Sequence, residues 1–156
     1  MGNSGQWLRC LIGAFGTAAA TMAFAAGEAG MVKTLKGSVS IERGGQKQAA
    51  AIGGSVLESD RVVTGADGSV GITLRDNTML SAGPNSVLEL DKFAFDSTTH
   101  AGTLQASVKR GSLAVISGKI AATSPDAVSV RTPKTTRGVR GTEFIIEAGD
   151  DARGAN

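Results

Sequence analysis

The sequence predicts an all-β domain: short antiparallel strands in twisted sheets packed as a sandwich, with a short β-helix as the second candidate. Two observations point there. Apolar and polar residues alternate in short runs, as in Val70, Ile72 and Leu74 against Gly71, Thr73 and Arg75. That is the period-two pattern of a half-buried strand. The chain of 156 residues also carries 22 Gly but only three Pro. Glycines at irregular spacing mean many tight turns, and so many short strands about 8–12 residues apart. After residue 26 no stretch of ten or more residues shows a helical period.

The N-terminus reads as an export signal. Arg9, with no acid near it, precedes an uncharged run of 17 residues from Cys10 to Ala26. Ala23-Phe24-Ala25 places small residues at the two positions a signal peptidase reads. Cleavage is expected after Ala25, or one residue later. A retained anchor is the alternative, but 17 weakly apolar residues are short for a hydrocarbon core about 30 Å thick. The expected division is a signal peptide at 1–25, a β domain at 26–147 and a flexible tail at 148–156. The chain's single Cys lies in the signal, so the exported part can hold no disulfide and no Cys-based metal site.

Strands then follow one another between turns. Val39 and Ile41 alternate with Ser38, Ser40 and Glu42, and Arg43-Gly44-Gly45-Gln46 turns. A short strand at Arg61-Val62-Val63-Thr64 leads into the Gly65–Gly68 turn. The run at 70–75 reaches a hairpin tip at Asp76-Asn77, and Met79-Leu80 returns. After Gly83-Pro84-Asn85 comes Val87-Leu88-Glu89-Leu90. Later strands are expected at 104–108, broken by Arg110-Gly111, and at 113–117. The last two run from Val128 to Pro133, which ends its strand or confines it to an edge, and through Phe144-Ile145-Ile146.

Charge is nearly balanced once the signal is removed: 15 Lys and Arg (16 less Arg9) against 14 Asp and Glu. Its distribution is uneven. Residues 54–102 hold seven acids and three bases, residues 103–142 seven bases and one acid. Two charged faces attracting each other, or solvated strand faces, would explain this. A basic partner surface at Arg131, Lys134, Arg137 and Arg140 is the alternative.

The order of these blocks resembles the FecR-like domain, the periplasmic part of regulators of iron-dicitrate uptake, in the form of its stand-alone exported members. The resemblance runs through Gly37-Ser-Val-Ser-Ile-Glu-Arg-Gly44, the segment to Asp60 and Thr64, Ser69 to Leu80 with Asp76, and Gly111-Ser-Leu-Ala-Val115. Its most specific part is Thr132-Pro133 followed by Arg140-Gly141-Thr142 and Phe144. It implies a non-enzymatic binding or scaffold module of the cell envelope, periplasmic or secreted, with an envelope protein or cell-wall component as partner. A periplasmic component of a transmembrane signalling system is a further reading, and an envelope enzyme a third.

The residues suggest structure rather than chemistry. Asp60, Asp76 and Asp91 sit beside turn residues and are expected to bond turn backbone. Arg140 is a candidate partner for Asp60 or Asp76, and Phe144 is a candidate core residue. His100 is the only His. No catalytic, cofactor or metal residues are assigned, because no phosphate loop, zinc spacing or calcium loop occurs. Few aromatics argue against nucleic acid, which needs stacking platforms. Membrane contact is expected only through an uncleaved signal segment.

Overall fold

A computed structural model describes residues 27–133, 136–138 and 143–148. The expected signal peptide, the C-terminal tail and Lys134, Arg140, Gly141 and Thr142 lie outside them, as does the side chain of Arg137. Among the described residues the fold is almost wholly β. The strands are β1 (Glu28–Lys36), β2 (Val39–Arg43), β3 (Gln46–Ala49), β4 (Ser55–Leu57), β5 (Arg61–Thr64), β6 (Ser69–Leu74), β7 (Met79–Ala82), β8 (Val87–Phe95), β9 (Gly102–Ile116), β10 (Val128–Arg131), β11 (Thr136–Gly138) and β12 (Glu143–Ala148). One short helix, α1 (Lys119–Thr123), and a 3-10 turn at Pro125–Ala127 connect β9 to β10.

The twelve strands form one sheet that curls on itself at β9. Residues 102–110 of β9 pair with β8 and β10, and residues 111–116 pair with β7 and β12. Two leaves result. The first runs β4-β1-β6-β7-β9-β12 and the second β3-β2-β5-β8-β9-β10-β11. Every pairing is antiparallel except β9 with β10. A β-helix would stack parallel strands, so the antiparallel, two-leaved arrangement favours the sandwich.

Alternation built the leaves as the sequence implied. β6 buries Val70, Ile72 and Leu74 and turns Ser69, Gly71 and Thr73 outward. The inward residues of both leaves meet in one core, with Val39, Ile41, Val62, Leu88 and Leu104 from one side and Ile72, Leu74, Leu80, Leu113 and Val115 from the other. At about 1.5–3 kcal/mol for each fully buried aliphatic side chain, this core is the main favourable term. Phe144 is half-buried against its margin, and Ile146 and Ala148 carry the burial of β12. Expected as core, Phe144 sits instead toward the start of a strand that flanks only β9.

The sequence suggested that Gly111 would break its strand, yet β9 continues through it. Gly111 lies at φ +84°, and a Cβ there would fall 2.2 Å from Ser86 Oγ. Glycine here bends the strand from one leaf to the other without ending it. Ser86 locks the bend: its Oγ accepts from Ser112 N at 3.0 Å and donates toward Ser112 O at 3.2 Å.

Candidate interaction surfaces

Three buried polar groups hold turns: Asp60 and Thr64 where the chain changes leaf, and Asp76 at the β6–β7 hairpin within the first leaf. Asp60, 1% exposed, accepts Leu57 N at 2.8 Å and both guanidinium arms of Arg43, at 2.8 and 2.6 Å. Arg43 also donates to Ser55 O at 3.1 Å, which ties β2 to β4. The hydrogen bond and charge of Asp60 raise Arg43 above its ordinary value. Asp60 therefore takes its cation from β2. At the opposite hairpin Asp76 is fully buried. It accepts Thr78 N at 3.1 Å and Thr78 Oγ1 at 2.6 Å, and its carbonyl accepts Lys119 N at 2.8 Å. Gly118 lies so close that a Cβ would sit 2.3 Å from Asp76 O. Thr64 Oγ1 donates to Gly83 O at 2.7 Å and accepts Ser86 N at 2.8 Å. Asp60, Thr64 and Asp76 thus bond turn backbone, the first two at corners between the leaves and the third at a hairpin.

Asp91 behaves differently. It lies within β8, away from any turn, where the register shifts between Leu90 and Lys92. Its Oδ2 accepts from Ser107 Oγ. His100 occupies the loop between β8 and β9, stacked on Phe95 with centroids 6.3 Å apart. Beside it, the N–H groups of Thr98 and Thr99 hold the Asp96 carboxyl below the usual carboxylate range. Ser107 lies some five residues along β9 from that loop, roughly 16 Å at 3.3 Å per residue, so Ser107, Asp91 and His100 make no triad. Among the described residues no three His, Cys, Asp or Glu gather to hold a metal.

The two leaves present opposite outer faces. On the second, one cross-strand row reads Lys47, Glu42, Arg61, Glu89, Ser107, Arg131. Opposite charges stand directly across strands at Glu42, Arg61 and Glu89, with Arg61 3.7 Å from Glu42, and Lys109 reaches Glu89 diagonally at 3.9 Å. On the first, the corresponding row reads Ser55, Met31, Thr73, Met79, Ile116, Glu143, and the next reads Thr34, Gly71, Ser81, Ala114, Ile145. These eleven positions carry one charge, at the end. Met79 is 45% exposed, Ile116 39% and Ile145 69%, three of the four large apolar side chains left in solvent among the described residues.

Arg131, expected on a basic partner surface, lies exposed in the charged row, and Thr132 and Pro133 follow it at the mouth of a cleft beside Asp91. The sequence did not reveal the apolar face. Met79, Ile116 and Ile145 lie far apart along the chain, and only the register brings them together.

The family described as "FecR protein" matches residues 60–155, more than half of the chain. A solved structure described as "Cell surface anchoring domain" shares 31% identity over 40% of this chain and 84% of that chain, at a TM-score of 0.39. No curated protein matches. No helix among the described residues is long and apolar enough to cross a membrane.

Proposed function

The chain belongs to the FecR family, and from that premise we propose that it is an exported, non-enzymatic binding module of the bacterial cell envelope, working in the periplasm or secreted. Its contact face is the outer face of the first leaf, and its partner is an envelope protein. One observation carries the reading: Met79, Ile116 and Ile145 gather on adjacent strands, with Thr73, Ser81 and Ala114 beside them and Glu143 and Glu147 at their margin. Scattered exposed apolar residues are ordinary, but a contiguous group rimmed by charge marks a protein contact. Here the rim is Glu143 and Glu147 on β12 and Lys33 on β1, all exposed. The small residues Gly71, Ser81 and Ala114 in the adjoining row let a partner approach the backbone closely.

The test is affinity capture from envelope extracts with the full chain, tagged at its C-terminus, and identification of what binds. Met79→Ser with Ile145→Ser should lose the captured protein, and Lys47→Ser, exposed on β3 of the second leaf, should retain it. Capture that survives the double variant, or capture of nothing but further copies of the chain itself, overturns the reading.

A further inference from the structure

A cleft of about 400 Å³ opens on the outer face of the second leaf, away from the apolar rows, lined by Asp91, Ser107, Lys109, Arg131 and Pro133 among others. Three adjacent strands build it. β8 brings Asp91, β9 brings Ser107 and Lys109, and β10 brings Arg131 before Pro133 ends the strand.

Local structure prepares the two walls. The register shift between Leu90 and Lys92 gives β8 an extra residue, and such bulges re-aim a side chain. Asp91 is the residue re-aimed. Ser107 is only 6% exposed, although its register neighbours Glu89 and Arg131 remain open. Its hydroxyl donates to Asp91 Oδ2 and so fixes the carboxylate. No described residue donates to the other oxygen, Oδ1. On the opposite wall Arg131 is exposed, and among the described residues no carboxylate pairs with it. The second cation, Lys109, faces Glu89 at 3.9 Å. Among the described residues, one anion and one cation are thus left without an opposite charge on either side of Ser107. Their strands are two sheet spacings apart, roughly 10 Å, and the long Arg side chain shortens that gap.

We propose that this cleft binds a small zwitterion, a free amino acid or dipeptide. The carboxylate lies on the Arg131 guanidinium, whose planar fork matches it with two parallel hydrogen bonds. The ammonium lies on Asp91. A ligand of zero net charge suits walls on which Asp91 faces Arg131 while Lys109 is offset by Glu89. A simple anion would meet Asp91, and a simple cation would meet Arg131. The volume falls within the usual range for small-ligand sites, about 300–1,000 Å³. None of this rests on the apolar face of the first leaf.

Calorimetric titration of the full chain with glycylglycine, its N-acetyl form and its C-terminal amide tests the assignment. The free dipeptide should bind, and either blocking group should weaken it about tenfold or more, the scale of one lost charge-assisted contact. Arg131→Gln and Asp91→Asn should do the same, and Ser107→Ala, which frees the Asp91 carboxylate, should weaken binding less. Lys36→Gln, exposed at the end of β1 on the other leaf, should bind as wild type. Thermal melts verify that each variant is folded. No binding of glycylglycine or free glycine, sensitivity to amidation but not to acetylation, or folded Arg131 and Asp91 variants that bind normally would each overturn the proposal.

Discussion

The two outer faces rest on one core and share one strand, yet one sets charge against charge from strand to strand and the other carries almost none. Across the second leaf, Lys47, Glu42, Arg61 and Glu89 alternate in sign, so each charge has its complement on the neighbouring strand. Across the first leaf the same lattice of positions carries Met31, Thr73, Met79 and Ile116. Cross-strand pairs of opposite charge contribute modestly, roughly 0.2–1 kcal/mol each, but they also keep the face hydrated and self-sufficient. An apolar row has no such internal answer. The difference teaches that burial alone does not divide this surface; cross-strand complementarity does.

Three substitutions probe that contrast, beginning with the residue that lets both faces exist. Gly111→Val places a β-branched side chain at φ +84° and against Ser86. The expected cost is at least about 3 kcal/mol in urea denaturation, from backbone strain and a displaced corner. A cost below about 1 kcal/mol would mean that the bend in β9 does not hold the leaves in register. Arg61→Glu comes next. It sets three acids side by side, with Glu42 and Glu89 flanking the new carboxylate, and should cost about 1 kcal/mol. Arg61, Glu42 and Glu89 are each about a third exposed or more, so the loss should shrink as salt screens them. A loss insensitive to salt would show that the row works by packing. Smallest in stability is Ile145→Lys. At 69% exposure it should change stability by no more than about 0.5 kcal/mol while abolishing capture of the envelope partner. A large fall in melting temperature would place Ile145 in the fold rather than in the contact.

Much of the architecture was legible where one face of a strand is buried. Val70, Ile72 and Leu74 announce β6, and Val128 and Val130 announce β10, because alternation is enforced by a wet side and a dry side. β3 left no such trace. Its residues Gln46 to Ala49 are all exposed, so nothing selects apolar positions. Gly111 misled in the other direction, since a glycine that bends a strand looks the same in sequence as one that ends it. Among candidate site residues, the roles of Asp60 and Asp76 at turns followed from their neighbours. Asp91 did not, because a bulge is a property of two strands together. The partner of Asp60 was equally hidden: Arg43 lies 17 positions away and meets it only through the corner of β2 and β4. For the same reason neither the charged row nor the apolar one could be read before the register was known.

The placement of β9 also has a consequence for how the chain reaches its native state. β9 lies between β8 and β10 in one leaf and between β7 and β12 in the other. Neither leaf can close until residues 102–116 are in place. β1, first of the described strands, pairs with β6 through contacts such as Lys36 with Ser69 and Gly30 with Leu74, so long loops must be closed before those pairs gain anything. Folding of such non-local β topologies falls on the millisecond-to-second scale. A chain delivered N-terminus first therefore holds two incomplete leaves, with open edges and exposed apolar rows, until its central strand arrives and both close together.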